Sequence, residues 1–440
     1  MEISELIKES ELREKVEFDV LNAGVKNALS KKKLGVVRMR NIIPEKLLAT
    51  VIQKSNDGEW SYMGLAKCYA LFTGVLVSKQ AIWKATKQYI FLYLQYVLSA
   101  LLSDNIDKSL CKSTGLFRRI LLEDSTTTKL PNKFKKFFPG SANKNGSNSS
   151  FKVQTLYDIV TESFIKFKIT PYTDNDLKMS GEILPLVKAK DLIIRDMGYF
   201  VIDHFKTIIG KGAFFLSRLK QPITLYDIND KKIDLFKLLK DPKVIDMQIL
   251  LGSSKLPTRL LAIPLSKKEA RKRREKANKN DRVNYSKLYK FLLSWNLMIT
   301  NIEPEDCDAE QIYQLYSLRW RIESIFKMWK SYMNFKEYNN FASLEQLLIT
   351  ITSKLIFFTI IHQVAIKTFV DEIEKERDRE VSFFQLYNLI QEDIQAFVSA
   401  IFNPSKRSFY MKLIIKTCLY EKRDDRVNYT KKKKAILSPF

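Results

Sequence analysis

Four residues with reactive or charged side chains lie at helical spacing in the segment Tyr316–Lys330, YSLRWRIESIFKMWK. They are Tyr316, Arg319, Glu323 and Lys330. At about 100° per residue, a helix would place all four within about 60° of one another, with apolar residues on the adjoining arc. The spacing therefore predicts a helix that packs against a core and presents a carboxylate beside two cations and a phenol. Such a set suits phosphodiester chemistry, because cations bind phosphate oxygens and a carboxylate can bind a metal ion.

The same spacing also has a purely structural explanation. Glu323 can form i,i+4 ion pairs with Arg319 and Lys327 on the surface of an amphipathic helix. Such pairs stabilise a helix by only about 0.2–0.5 kcal/mol each. Helical spacing alone does not separate the two interpretations, so the rest of the chain has to be considered.

Two further acids stand where strands are predicted to end. Asp124 ends the run FRRILLED, and Asp196 ends the run DLIIRD. Phosphodiester cleavage needs an activated nucleophile and a stabilised leaving oxygen, and two metal ions held by carboxylates supply both. Glu123 would point to the opposite face of the strand from Asp124, so only one of these neighbours can serve. Each aspartate also has a local alternative, since Asp124 can cap a turn and Asp196 can initiate one before Gly198.

Together, these segments resemble a known family. The order Tyr, two residues, Arg, three residues, Glu, six residues, Lys resembles the signature of the DDE transposases of the insertion sequence 4 family. Asp124-Ser-Thr and Asp196-x-Gly-Tyr-Phe resemble the first and second acidic motifs of that family. The resemblance implies that Asp124, Asp196 and Glu323 are catalytic and bind metal, with two Mg²⁺ ions per active site that Mn²⁺ can replace.

The resemblance also implies DNA-binding residues. Tyr316, Arg319 and Lys330 are expected to bind the 5′ phosphate of the non-transferred strand. Trp295 is expected to stack on a base flipped out of the DNA during hairpin formation; a Trp buried in a strand is the alternative. Arg273 belongs to a basic helix, KKEARKRREKANK, which is expected to contact phosphates or, alternatively, to be a solvated charged surface.

Charge and composition agree with a nucleic-acid partner. The 440 residues include 74 Lys+Arg against 49 Asp+Glu, a formal net charge of +25. This excess favours a polyanion, with nucleic acid ahead of an anionic membrane. Four widely spaced cysteines and two histidines argue against a disulfide framework or a zinc site and fit a reducing cytoplasm. The apolar stretch from Leu347 to Ile366 contains Lys354 and His362, so it is predicted to be a buried helix and no membrane association is expected.

The predicted fold class is α/β, with a ribonuclease-H-like mixed-sheet catalytic core, a β-rich insertion, and helical N- and C-terminal regions. The long gap between the second and third acids is filled by extended runs, which is why an insertion is expected. The predicted regions are a helical DNA-end-binding domain (1–110), the first part of the core (111–220), the β-rich insertion (221–302), the final part of the core with the signature helix (303–370), and a helical C-terminal region with a basic tail (371–440), a candidate for dimerisation.

The N-terminal region contains a candidate helix-turn-helix. Two helical runs flank the short segment VLV, and Ser78 is suited to cap the second run. Lys79 and Gln80 would then point outward for a DNA groove. A plain helical hairpin has the same sequence pattern and remains an alternative.

The sequence thus predicts a transposase that performs Mg²⁺-dependent cleavage at the inverted-repeat ends of its element and transfers the strands into target DNA. By resemblance the reaction is cut-and-paste with a hairpin intermediate, on double-stranded DNA, by a homodimer. The expected location is the bacterial cytoplasm, with nucleoid association when bound to DNA. Two alternatives remain: a nuclease on the same core that does not transfer strands, and a DNA-binding protein derived from a transposase but lacking catalysis.

Overall fold

The computed structural model describes most of the chain after residue 40. The described residues are 41–56, 60–86, 90–110, 115–143, 146–279, 285–332, 334–336, 338, 341–377, 379–393, 396–397, 400, 403–420 and 429–438. The first 40 residues of the predicted DNA-end-binding domain therefore lie outside the described residues.

A mixed sheet of ten strands forms the centre of the described structure. Its strands are β1 (Arg119–Leu130), β2 (Pro139–Asn143), β3 (Gly146–Asp158), β4 (Ser163–Pro171), β5 (Asp191–Arg195), β6 (Phe214–Arg218), β7 (Leu225–Tyr226), β8 (Ile245–Leu251), β9 (Leu256–Pro264) and β10 (Trp295–Thr300). Their order is β2-β3-β1-β5-β6-β10-β9-β8-β7, and β4 pairs with the outer side of β3. β5 and β10 are buried along their whole length, as expected for strands covered on both faces.

Helices precede the sheet, connect its strands and follow it. They are α1 (Pro44–Asn56), α2 (Tyr62–Thr73), α3 (Lys79–Ala85), α4 (Phe91–Leu110), α5 (Asp176–Met179), α6 (Ile202–Gly210), α7 (Leu235–Leu238), α8 (Lys267–Asn278), α9 (Lys287–Leu292), α10 (Ala309–Ser317), α11 (Trp320–Tyr332), α12 (Leu344–Ala365), α13 (Asp371–Arg377), α14 (Phe383–Glu392), α15 (Pro404–Thr417) and α16 (Tyr429–Leu437). A π-helical turn, Ile366–Val370, joins α12 to α13.

The strands before the insertion have the ribonuclease-H-like arrangement. β1, β3 and β4 pair antiparallel in succession. β5 then pairs parallel to β1, and β6 pairs parallel to β5. Parallel neighbours need a crossover, and α6 supplies it between β5 and β6. The predicted fold class is therefore confirmed.

The predicted β-rich insertion extends this same sheet. β10 pairs antiparallel with β6, and β9, β8 and β7 continue outward from it. The basic helix α8 begins with a capping box, in which the side chains of Ser266 and Glu269 bind reciprocally to the backbone. The strands of the insertion thus extend the sheet beyond β6 and do not pair with β1 or β5.

Two details near β1 differ from the sequence prediction. The strand does not end at Asp124 but continues to Leu130, because β3 pairs with it along that whole length whereas β5 stops opposite Glu123. The polar segment after β1, whose Lys, Ser, Asn and Gly residues are typical of a loop, contains β2, PGSAN, which pairs with β3. Main-chain hydrogen bonds can support a strand whose small polar residues carry little strand propensity.

The segment predicted as one signature helix is two helices in succession. α10 ends at Ser317 and α11 begins at Trp320. Between them, the amide of Arg319 donates to the carbonyl of Tyr316 at 3.1 Å, and the amide of Arg321 donates to that of Leu318 at 3.0 Å. These i→i+3 bonds make a tight turn that lets the second helix change direction.

The N-terminal helices include the predicted pair. α2 ends at Gly74, whose φ of 73° is in the left-handed region that favours glycine. The side chain of Ser78 caps α3 by accepting from the amide of Ala81 at 3.1 Å. The two predicted helices and the predicted cap are therefore present in the structure.

The apolar helix α12 lies in the interior and packs against α4 and α1. Within the described part of the chain, the stretch Leu344–Arg377 is the one helix long and apolar enough to cross a membrane, and 78% of its apolar window is buried inside the protein. Core helices of soluble proteins have the same composition and length, and this burial is the arrangement predicted for the stretch.

The sheet separates two apolar cores, since side chains alternate along each strand. Ile120 and Leu122 of β1 pack in the first core, together with the N-terminal helices and α10 to α12. Leu121 packs in the second, with α6 and the insertion. On the side of the first core, the sheet face therefore packs against α10 and α11. The predicted acids Asp124 and Asp196 lie on this face, just after the last β1–β5 pair.

Candidate active site

Asp124 and Asp196 follow directly on the last paired residues of β1 and β5. Because side chains alternate, both carboxylates share the sheet face of Leu122 and Ile194, which line the first core. Asp196 has an extended backbone, and its side chain makes no capping bond to the turn Met197–Tyr199 that follows. The parallel ladder therefore sets the two aspartates side by side.

Residues of α10, α11 and their junction connect to both aspartates. Arg319 Nη1 lies 3.3 Å from Asp124 Oδ2, and Arg319 Nη2 forms an ion pair with Glu323. The hydroxyl of Tyr316 donates to Asp196 Oδ1 at 3.4 Å. One guanidinium thus lies between the first and third predicted acids, and a phenol contacts the second.

The three acids and Arg319 line one open pocket of about 470 Å³. The acids enter it from three separate parts of the chain, and the cation Lys330 enters it from the end of α11. The lining residues are Asp124, Ser125, Thr126, Asp196, Arg319, Glu323, Phe326, Lys327, Lys330, Ser331 and Lys336.

The pocket holds an excess of negative charge around Asp124. Burial, together with the neighbouring Asp196 and Glu323, raises the pKa of Asp124 to about 7 against the lowering effects of the Ser125 amide and Arg319. A carboxylate crowded in this way binds a proton or a cation more readily than an exposed one.

The pocket also holds positive charge. Burial lowers the pKa of Lys330, and the charge of nearby Lys336 lowers it further, while Asp124 opposes both effects. Two neighbouring ammonium groups favour an anion close to them, such as a phosphate. The pocket therefore combines carboxylates with cations.

The acids of the pocket supply only carboxylate oxygens, and neither His nor Cys lines it. Oxygen ligands of this kind are the ones that hard divalent cations such as Mg²⁺ prefer. Among the described residues, no three acidic, His or Cys side chains stand close enough to enclose an ion. Arg319 accounts for part of this spacing, because its guanidinium contacts both Asp124 and Glu323. The acids are therefore of the type that holds such an ion, and in this arrangement Arg319 stands between two of them.

Two predicted DNA-binding residues lie in the interior near β10. Trp295 is only 5% exposed and packs in the second core. Arg273 is half-buried and donates to the carbonyl of Trp295 at 3.2 Å and to Asn296 Oδ1 at 2.8 Å. In this structure the indole of Trp295 is buried in a strand, as in the alternative interpretation of this residue. The guanidinium of Arg273 is bonded to β10 and is only partly exposed to solvent.

Lys79 and Gln80 are exposed in the first turn of α3, and neither lines the pocket. Their orientation is the one predicted for a helix-turn-helix. Their role in DNA binding stays a prediction.

Lys336 lines the pocket and was not among the site residues predicted from the sequence. Behind β1, the carboxylate of Asp176 accepts hydrogen bonds from Ser125 at 3.0 Å, Lys152 at 3.1 Å and Gln154 at 3.0 Å. Gly198 lies beside this carboxylate, where a Cβ would make an ordinary contact of 3.4 Å with Asp176. No pattern in the sequence indicated Lys336 or the hydrogen bonds of Asp176.

The fold and this pocket are those of a DNA-cleaving enzyme class. Residues 115–353, more than half of the chain, match the family described as Transposase DDE domain. The chain belongs to this DDE transposase family, whose members cleave DNA and transfer strands, generally with divalent metal ions. The predicted family and enzyme class are confirmed.

Individual transposases are similar over most of their length. The transposase of insertion sequence element IS1151 from Clostridium perfringens is 30% identical over 388 residues, which cover 81% of this chain and 80% of that protein. The transposase of element IS231E from Bacillus thuringiensis subsp. finitimus is 29% identical over 356 residues, covering 75% and 74%. A solved piggyBac transposase synaptic complex with hairpin DNA aligns over 95% of this chain and 88% of that chain, at 10% identity and a TM-score of 0.42.

Proposed function

We propose that this transposase cuts DNA at the inverted-repeat ends of its own insertion element and joins the freed ends to target DNA, with Asp124, Asp196 and Glu323 as the catalytic acids. The observation that carries the proposal is their meeting in one open pocket with Arg319, beside Tyr316, whose hydroxyl contacts Asp196. A chain selected only to bind DNA would not need three acids, which repel phosphate, at the centre of such a pocket.

The three carboxylates would hold Mg²⁺, two ions per site, with Mn²⁺ as a substitute. When bound, the ions supply an activated nucleophile and stabilise the leaving oxygen of the phosphodiester. Asp124 and Asp196 would supply ligands from the rigid ends of the β1–β5 pairing, and Glu323 would supply one from α11.

Arg319 would exchange partners during the reaction. In the absence of DNA its guanidinium neutralises Asp124 and Glu323. With Mg²⁺ and DNA present, the metal would take over that role and Arg319 would bind the 5′ phosphate of the non-transferred strand, since a guanidinium contacts phosphate in bidentate fashion. Tyr316 and Lys330 would bind the same backbone.

A hairpin intermediate is part of the proposed cut-and-paste pathway, with Trp295 stacking on the flipped base. Because Trp295 is buried at the start of β10, this step requires the segment around it to rearrange on DNA binding. Arg273 would be released from β10 by the same movement and become free to contact phosphate.

DNA-end recognition is assigned to the N-terminal region, residues 1–110, with Lys79 and Gln80 at the front of α3. Residues 371–440 are the proposed dimerisation region of a homodimer that holds two DNA ends. The core is assigned to 111–220 and 303–370, on either side of the insertion at 221–302. The place of action is the bacterial cytoplasm, at the nucleoid.

The nuclease alternative and the binding-only alternative predict different products from the same assay. Wild-type protein is incubated with Mg²⁺, a duplex carrying the element's inverted repeat, and a target plasmid. Glu323→Gln is compared with Glu310→Gln, an exposed change of the same kind on α10.

The proposal expects joined products from the wild type and from Glu310→Gln, and bound but uncut duplex from Glu323→Gln. Cut ends without joined products from the wild type would favour the nuclease. Bound DNA without cleavage by the wild type would favour the binding-only protein.

A further inference from the structure

A buried carboxylate on the far side of the signature helices gathers an unusual number of donors. Glu162 lies in the β3–β4 turn, and its side chain is 8% exposed. It accepts hydrogen bonds from Tyr157 Oη at 2.5 Å, Arg321 Nη2 at 3.0 Å, Tyr429 Oη at 3.2 Å and Lys433 Nζ at 2.7 Å. The backbone of Glu162 has a φ of 51°, a conformation that costs energy for a residue with a side chain.

Arg321 is the link between this carboxylate and the pocket. It lies in the first turn of α11, two residues after Arg319 and two before Glu323. Since two residues turn a helix by about 200°, Arg321 leaves α11 on the side opposite to Glu323. Anchoring Arg321 therefore fixes the rotation of α11 about its own axis, which sets where Glu323 points.

The guanidinium of Arg321 is also clamped between two aromatic rings. The ring of Phe383 lies 4.6 Å from its central carbon on one side, and the ring of Tyr429 lies 4.3 Å from it on the other. Cation–π contacts of this kind are strongest when the cation is removed from water, and the Arg321 side chain is only 11% exposed.

The C-terminal helix α16 supplies two of these contacts. Tyr429 begins the helix, and Lys433 follows one turn later. Within the lysine run of the tail, Lys433 is largely buried and ion-paired, whereas Lys432 and Lys434 on either side are exposed. Helix α16 also packs against α10, which carries Tyr316.

The charges of the cluster depend on one another. Although burial alone would raise the pKa of Glu162, Arg321 and Lys433 hold that pKa well below its usual range. Burial, aided by Arg321, lowers the pKa of the adjoining His362 to about 3, so His362 stays neutral. A buried carboxylate held by two cations is tightly organised, because losing the carboxylate would leave two largely buried cations without a counter-charge.

We propose that Glu162, Tyr429 and Lys433 are positioning residues for the DNA-cleaving site: they hold Arg321, and through it the first turn of α11, so that Arg319 and Glu323 face Asp124. The C-terminal helix thereby completes the catalytic pocket without contacting DNA in it. This inference rests on the proposed function of the pocket. A misplacement of Glu323 by about 1 Å would slow chemistry tenfold to a hundredfold with little change in DNA binding.

The test compares neighbouring lysines of one helix. Lys433→Met removes the buried charge, Lys433→Arg keeps a charge there, and Lys432→Met makes the same change at an exposed position. Single-turnover cleavage of an inverted-repeat duplex in Mg²⁺ gives the rate, and titration of the duplex in Ca²⁺ gives the DNA affinity.

The expected result is a cleavage rate about tenfold or more lower for Lys433→Met at unchanged DNA affinity. Lys433→Arg should recover most of the rate, and Lys432→Met should match the wild type. Equal rates for Lys433→Met and Lys432→Met would overturn the inference, and so would a loss confined to DNA affinity.

If Lys433→Met does not fold, Tyr429→Phe provides the decisive comparison. It removes only the hydroxyl bonded to Glu162 and keeps the ring on Arg321. A slower single-turnover rate at unchanged affinity supports the inference, and an unchanged rate overturns it. A wild type that does not cut the duplex would instead refute the proposed function, so the two failures are distinguishable.

Discussion

Replacing Asp124 with asparagine is expected to stabilise the metal-free protein while abolishing cleavage. Asp124 makes its ion pair with Arg319 at 3.3 Å, yet burial and two neighbouring acids raise its pKa from 3.8 to about 7. The charged form is therefore less favourable in the folded protein than in the unfolded chain. An asparagine side chain at this position would keep the shape and the hydrogen bond from the Ser125 amide without that charge.

The sign and size of the effect follow from linkage. Between pH 4 and 7 the unfolded chain binds fewer protons at this position than the folded protein, so stability falls as pH rises through this window. At 1.36 kcal/mol per pH unit, the penalty is about 1.5 kcal/mol at pH 5 and reaches about 4 kcal/mol above pH 7. Below about pH 4 it vanishes, because both states are then protonated.

Urea unfolding of wild type and Asp124→Asn in EDTA at pH 5 and pH 8 measures this difference. The variant should gain about 2–3 kcal/mol relative to the wild type between the two pH values. Asp203→Asn, at a side chain that is 85% exposed, serves as the control and should show no such gain. Equal pH dependence for wild type and Asp124→Asn would refute the reasoning about charge crowding in the pocket.

Three further predictions concern the cations and the indole. Arg319→Ala should bind Mg²⁺ more tightly by calorimetry in the absence of DNA, because a competing cation is gone, while losing cleavage; weaker Mg²⁺ binding would contradict the exchange of partners. Lys330→Ala and Lys336→Ala should each reduce the slope of log affinity for DNA against log salt by about 1, and an unchanged slope would exclude a phosphate contact at that lysine. Trp295→Ala should lower the free energy of unfolding by about 3–5 kcal/mol, as expected for a large buried side chain, and a change near zero in urea unfolding would contradict its burial.

The acids were predictable because each belongs to a short pattern with its own chemistry. Asp196 ends an apolar run and stands two residues before Gly198, in an Asp-x-Gly-Tyr-Phe pattern. The apolar run before Asp124 indicated a buried strand, and β1 is one. Sequence order did not reveal where the strand pairing would stop, and the end of the β1–β5 ladder is what exposes Asp124.

Other features depend on contacts between distant segments. The residues of β2, PGSAN, have low strand propensity, and the strand exists because its backbone pairs with β3. The helix break after Ser317 leaves the pattern of apolar residues nearly intact, so periodicity indicated one helix. Burial of Trp295 and recruitment of Lys433 to Glu162 follow from tertiary packing, which a local pattern does not contain.

The central claim is that acids from three separate segments form one DNA-cleaving site. The most direct measurement is single-turnover cleavage of an inverted-repeat duplex in Mg²⁺ by wild type and by the variants Asp124→Asn, Asp196→Asn and Glu323→Gln, with binding checked for each. We expect that the wild type cuts the duplex at the element boundary and that all three variants bind it without cutting. Cleavage at the wild-type rate by any of the three variants would contradict the claim.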